Sequence, residues 1–133
     1  MTGVQTCALP DLKQFIKKYN GVKVDKDNAH GAQCVDLARQ YFEDVYGIPQ
    51  PPPVDGAKDF WEKRGALKEC QVLEPGDILI YGATEKNPFG HICILVSFLD
   101  SETFIVFEQD GFKQDGAKLN VRGKVNLIGG LYA

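Results

Sequence analysis

From residue 78 onward the chain is a succession of short apolar runs bounded by turn-forming residues, a pattern that strands satisfy and helices do not. Ile78-Leu79-Ile80-Tyr81 follows the turn Glu74-Pro75-Gly76-Asp77. The runs His91 to Phe98 and Thr103 to Glu108 are joined by a tight turn around Asp100-Ser101, and residues 119–122 and 125–132 supply two more. The first half reads differently. Leu12, Phe15, Ile16 and Tyr19 recur at helical spacing with lysines between them, closed by Asn20-Gly21. A second helix is expected over residues 34–46, with Val35, Ala38, Phe42 and Val45 on one face, Gly47 as terminator and Pro49 beyond. Gln50-Pro51-Pro52-Pro53 is a stiff connector, and Asp55 is expected to cap a third helix that runs to Lys63 and ends at Gly65. Helices first and strands second argue an α+β fold, N-terminal helices on a C-terminal antiparallel sheet, rather than alternating βαβ units.

At 133 residues the chain suits one domain that can bury a core without disulfide staples. The formal net charge is -3 and no basic stripe appears, which argues against a nucleic-acid partner. No run approaches the ~18 apolar residues of a membrane span, so no membrane insertion is expected. Residues 1–10, "MTGVQTCALP", lack the basic start and apolar core of a secretory signal. They fit poorly with the amphipathic pattern that begins at Leu12 and resemble translated adapter sequence, so the domain is expected over residues 11–133. Cys7, Cys34, Cys70 and Cys93 form no C-x-x-C pair, which favours free thiols over disulfides and disfavours zinc held by Cys34, His91 and Cys93.

Three residues carry candidate chemistry. Cys34 stands at the expected start of the second helix, where unpaired N–H groups and the helix dipole favour a thiolate. The plainer reading is a small side chain in the core. His91 opens an apolar strand, where neither packing nor hydration asks for an imidazole, although a backbone carbonyl could satisfy one there. Glu108 ends the next apolar strand, within reach of His91 if the two strands are antiparallel neighbours. A nucleophile on a helix start, a base on a sheet and an orienting carboxylate beside it follow the logic of a thiol hydrolase.

The segments "GAQCVDLARQYF", "EPGDILIYG", "GHICILVS" and "FIVFEQDG", in this order and spacing, resemble the motifs of CHAP domains, the cysteine, histidine-dependent amidohydrolases/peptidases. The resemblance runs from about Leu12 to Leu131 and implies a papain-like fold and a peptidoglycan substrate, as in bacteriophage endolysins. It implies Cys34 as nucleophile, His91 as general base and acid, and Glu108 as the residue that orients the imidazole. Where family members often carry Asn two positions after this glutamate, the chain has Asp110, which leaves the makeup of the third member open. Gln33 stands where the family has a glutamine before the cysteine, and an oxyanion-hole role shared with the Cys34 N–H is the corresponding expectation. The protein is expected to be made without a signal peptide, to act on the cell wall after release, and to work as a monomer.

"DKDNAHGAQCVD", residues 25–36, has the ligand rhythm of a calcium loop entering a helix. Asp25, Asp27 and Asp36 would supply carboxylates, and Ala29 and Gly31 backbone carbonyls. Against this, His30 replaces the usual turn glycine and the last position is Asp rather than Glu, so a solvated polar turn is the alternative. Some CHAP endolysins have a calcium site just before the catalytic cysteine, and the resemblance therefore implies Ca2+ as a structural and activating ion. His30 is a rival base only four residues before Cys34, but its own loop would hold it from the thiol's attacking side. Cys93 alternates onto the His91 face and is expected to pack beneath the site, while Trp61, Tyr81 and Phe89 are groove candidates, with core packing the better expectation for Trp61. Two other functions remain: an NlpC-type cysteine endopeptidase, and a catalytically silent, calcium-ordered wall-binding module.

Overall fold

The computed structural model describes residues 3–26 and 31–133, with side chains from residue 10 onward. Asp27, Ala29 and His30 lie outside the described residues, as does the Cys7 side chain. Helix α1 (Gly3–Tyr19) leads to α2 (Cys34–Tyr41), which continues as a π-helical turn over Phe42–Tyr46, and a short 3-10 helix covers Ala57–Trp61. The strands are β1 (Lys68–Glu69), β2 (Ile78–Tyr81), β3 (His91–Phe98), β4 (Thr103–Glu108), β5 (Lys118–Gly123) and β6 (Leu127–Tyr132). They form one sheet in the order β1-β6-β2-β3-β4-β5, antiparallel at every pairing. The fold is α+β, as the order of elements implies.

Strands β2, β3 and β4 are apolar on both faces because both faces are covered. Ile78, Ile80, Ile92, Ile94 and Phe107 pack with Phe15, Leu37, Tyr41 and Phe60 from the helical half. Leu79, Tyr81, Cys93, Leu95, Phe104 and Val106 form a second cluster on the opposite face. A half-buried sheet would have alternated with polar residues instead.

The helical half departs from expectation in three places. Helix α1 begins at Gly3 rather than near Leu12 and carries Pro10 inside it. The second helix becomes π-helical after Tyr41 before stopping at Gly47, which is left-handed with φ 64°. On an α-helix, positions five apart point in different directions, and the wider turn brings Tyr41 and Tyr46 to one side. Their rings lie 4.9 Å apart. Both hydroxyls donate to the Gly76 carbonyl, at 2.8 and 2.7 Å, fastening the helical half to the turn before β2. The third helix is only the 3-10 segment, and its N-cap is Gly56, whose N–H donates to the Asp59 carboxylate at 3.1 Å. Asp55 is therefore no cap; it is exposed on the rim of the cleft that holds Cys34.

Strand β1 carries no apolar pattern and exists through its pairing with β6. Strand β5 inverts the usual alternation. Leu119 and Val121 are 50% and 52% exposed, while Asn120 and Arg122, on the other face, reach Glu108. Among the described residues, no helix is long and apolar enough to cross a membrane.

Candidate active site

Cys34 is the first residue of α2 because the chain turns helical immediately after Gln33. The Asp36 carboxylate, 2% exposed, accepts the Gln33 N–H at 2.9 Å and so closes the helix start. His91 is the first residue of β3, and Gly90 fixes where that strand begins. Gly90 has φ +74°, and a Cβ there would stand 2.4 Å from the Tyr81 carbonyl oxygen and 2.7 Å from Lys58 Cβ. Only glycine threads this gap between β2 and the 3-10 helix. Glu108 ends β4, which is in register with β3 through the Ile94–Phe107 pair. One step further along that ladder sets Glu108 beside Cys93, with His91 two residues on, upon the same face.

The three expected residues meet. His91 Nε2 lies 3.0 Å from Glu108 Oε1, which leaves Nδ1 as the ring nitrogen for the Cys34 thiol. Burial would lower the imidazole's pKa, but the adjoining Cys34 thiol and the Glu108 carboxylate override it and raise the value to about 9, with Arg122 pulling the other way. Burial likewise opposes ionisation of Glu108, yet the bonds from His91, Arg122 and Asn120 hold its pKa down at about 2. An imidazole set between a thiol and an ionised carboxylate can take the thiol's proton and keep it.

With its pKa raised from 6.5 to about 9, His91 contributes stability that is complete below pH 6.5 and is lost as pH climbs through 9. The Glu108 contribution is complete above 4.5 and is lost as pH falls toward 2. An NMR titration of the His91 ring is expected to show a midpoint near pH 9 in the wild type. In Cys34→Ala the midpoint should fall, since the raising effect of the adjoining thiol disappears. A wild-type midpoint at or below 6.5 would contradict the geometry.

The site opens into a cleft of about 890 Å³ with Cys34, His91 and Gln33 on its wall. Phe89 and Phe112 flank it and are largely exposed. Of the aromatic groove candidates Phe89 alone lines the cleft. Trp61 packs against Gly129 and Tyr81 is buried beneath the sheet. Asp110 lines the cleft too, but its Oδ1 accepts the Phe112 N–H at 2.8 Å and closes its own turn. Glu108 is the carboxylate on the imidazole. Cys93 is buried below it, where desolvation raises its pKa well above the ordinary thiol value. Cys34, Cys70 and Cys93 are all free thiols. Ligand atoms of His91, Cys93 and Glu108 lie within 4.8 Å of one another. A cation among them would sit beside the Arg122 guanidinium, which already occupies both Glu108 oxygens.

Two glutamines escaped the sequence reading. Gln109, 0% exposed, accepts the Val24 N–H at 2.8 Å and donates to the carbonyls of Val24 at 2.7 Å and Gln33 at 2.8 Å. Gln114 accepts the Ala32 N–H and donates back to the Ala32 carbonyl, both at 3.0 Å. Both fasten the segment before Cys34 to the chain that follows Glu108, so nucleophile and base are held at a fixed separation. Only the position of Gln109 next to Glu108 in "FIVFEQDG" hinted at this.

Of the calcium-loop residues, Asp25, Gly31 and Asp36 are described. Among the described residues, Asp25 Oδ1 is buried without a hydrogen-bond partner, which is the condition a cation would relieve. Asp36 serves the helix cap with one oxygen. Gly31 has φ +74°, and the space beside it is filled by the Gln114 amide. The donor set of Asp25, Asp36 and backbone carbonyls is the hard-oxygen type that calcium takes.

Solved structures share this architecture. The endolysin LysIME-EF1 superposes with a TM-score of 0.77 at 19% identity, over 93% of this chain and 63% of its own. Ly7917, crystallised with the hydrolysing product of MDP, gives 0.65 at 19% identity over 96% and 61%, and Ly7917 alone gives 0.64 at 20% over 93% and 59%. The chain thus spans about three fifths of the length of these proteins. No curated protein gives a significant match. The family model described as CHAP domain matches residues 23–110, which reach from the loop before Cys34 past His91 and Glu108. The chain therefore belongs to the CHAP domain family.

Proposed function

We propose that this chain is the catalytic domain of an endolysin-type peptidoglycan hydrolase, and that it cuts an amide bond of the bacterial cell wall through a thioester on Cys34. The observation that carries the reading is the imidazole of His91, bonded at 3.0 Å to a buried carboxylate and adjoined by the Cys34 thiol in an open cleft. The thiol gives its proton to His91, and the sulfur attacks the amide carbonyl carbon. The oxyanion is taken by the Cys34 N–H and the Gln33 side chain. The imidazolium then protonates the departing amine as the carbon–nitrogen bond breaks, leaving an acyl thioester. Water, deprotonated by the same imidazole, adds to the thioester and releases the acid and the thiol. Either the muramic acid to L-alanine amide or one within the stem or cross-bridge peptide fits this sequence of steps. The proposed place of action is the wall, reached after release from the cell that makes the protein, and the working form is a monomer.

The test is clearing of purified Gram-positive cell walls, followed by mass spectrometry of the soluble products. New amino and carboxyl termini at one amide position are expected. Folded protein that leaves every wall type intact, or that releases only reducing sugars, would overturn the reading.

Calcium belongs to the same proposal, held by Asp25, Asp27 and Asp36 with the carbonyls of Ala29 and Gly31. The ion would neutralise the three carboxylates and order the loop that delivers Cys34. A ligand that binds only the folded state stabilises it by roughly 2.7 kcal/mol at a hundredfold excess over its dissociation constant. EDTA is therefore expected to lower the melting temperature by several degrees, and calcium to restore it where magnesium does so poorly. Asp25→Ala should remove the calcium response. Calorimetry that finds no calcium binding up to millimolar concentration would make the segment a polar turn.

A further inference from the structure

Strand β5, the edge strand whose apolar residues face outward, carries polar groups that the mechanism leaves unused. They converge on Glu108. Arg122 Nε and His91 Nε2 both donate to Oε1, the latter at 3.0 Å. Arg122 Nη2 and Asn120 Nδ2 both donate to Oε2, at 3.1 and 2.8 Å. A carboxylate has about four lone-pair sites, and these four donors take all of them. Glu108 has nothing left with which to accept a proton from water or substrate, so it can only hold the imidazole. Arg122 in turn holds Glu108, because a planar fork on both oxygens fixes the plane of the carboxylate and the direction of the Oε1 lone pair that His91 uses.

The Arg122 side chain is itself seated. Its guanidinium lies 5.9 Å from the centre of the Tyr81 ring, and that ring is 6.4 Å from the His91 ring. The Tyr81 hydroxyl donates to the carbonyl of Gly123, next to Arg122, at 2.8 Å. Neither Arg122 nor Asn120 lines the cleft.

We propose that Arg122, assisted by Asn120, is the positioning residue of this site: its fork aims Glu108 so that one lone pair of Oε1 points at His91 Nε2 and keeps Nδ1 turned toward Cys34. The inference rests on the hydrolytic reading for its effect on rate, but not for its effect on the ring. Lysine cannot replace arginine in this role, because a single ammonium cannot span both oxygens in one plane.

The experiment compares Arg122→Met, Arg122→Ala and Asn120→Ala with the wild type. Substrate is a soluble peptidoglycan fragment, and the second readout is the NMR resonance of the His91 Nε2–H proton in the 15N-labelled protein. Arg122→Met is expected to lower kcat by roughly ten- to a hundredfold with KM unchanged, the signature of a misaimed base. The Nε2–H resonance should move upfield, and millimolar guanidinium should restore part of the activity of Arg122→Ala. Asn120→Ala, at an exposed edge position, tolerates loss of its side chain and should shift the same resonance by less. A resonance unmoved in Asn120→Ala and in whichever Arg122 variant folds would overturn the proposal, as would wild-type kcat in Arg122→Met. Should the wild-type protein leave the fragment intact, the hydrolytic reading fails, while the resonance still decides whether Arg122 places the ring.

Discussion

Cys34→Ala and His91→Ala are each expected to remove wall hydrolysis by about three orders of magnitude or more, and the double variant to be no worse than either single one. In the proposed mechanism the thiol supplies the bond-forming atom and the imidazole moves the proton in both half-reactions, so each is useless without the other. Neither change should unfold the protein. Cys34 is only partly buried at the first position of α2, where alanine is an acceptable helical residue. His91 stands at the open end of β3, with Gly90 and the strand register unchanged behind it. Cys70→Ser and Cys93→Ser should retain the reaction, though Cys93, packed in the second core cluster, will cost some stability. Clearing rates on purified walls, read beside melting curves, check the pair. Additive losses in the double variant would mean that the two residues do not act as a unit.

Glu108→Gln is the second large effect. From sequence alone it reads as a mild change that keeps shape and loses charge. The structure argues otherwise, because Glu108 receives donors on both oxygens. An amide presents one acceptor and one NH2 group, so whichever way it turns, two donors face an N–H. The Arg122 charge is also left unpaired beside a site that is 2% exposed on the glutamate side. Breaking such a pair from one side costs about 3–5 kcal/mol when fully buried. Arg122 is 34% exposed, and water would reduce the loss to about 2–3 kcal/mol. A fall of about 5–10 °C in melting temperature is expected for a domain of this size, with kcat down about a hundredfold or more. Melting at the wild-type temperature with normal activity would mean that the four-donor arrangement is not formed in solution.

How far the sequence could be read depended on whether a feature is local. The strand runs at 78–81, 91–98 and 103–108 were legible because double burial makes them continuous and apolar. Cys34 and His91 stood out as polar residues at element starts; the pairing of β3 with β4 then brings Glu108 to His91, and the packing of α2 on β3 brings Cys34. The π turn after Tyr41 was not legible, because it answers to the Gly76 carbonyl thirty or more residues away. Nor was Arg122. On an edge strand, alternation ordinarily turns polar residues to solvent, and "KLNVRG" reads that way until β5 is placed beside Glu108. Gln109 was hidden for a similar reason, since its partners, Val24 and Gln33, are 85 and 76 positions away. The resemblance to CHAP motifs pointed to Cys34, His91 and Glu108 but gave no sign of the residues that hold them in place.

The central claim is that the Cys34 sulfur does the chemistry, and a titration tests it most directly. The folded protein would be alkylated in steps with a small thiol reagent, the modified fraction of each cysteine read by peptide mass spectrometry, and wall clearing measured on the same samples. Activity is expected to fall in proportion to the modified fraction of Cys34 and to reach zero when that fraction is complete, whatever the state of Cys70. Clearing that persists with Cys34 fully alkylated, or that follows Cys70 instead, would contradict the account.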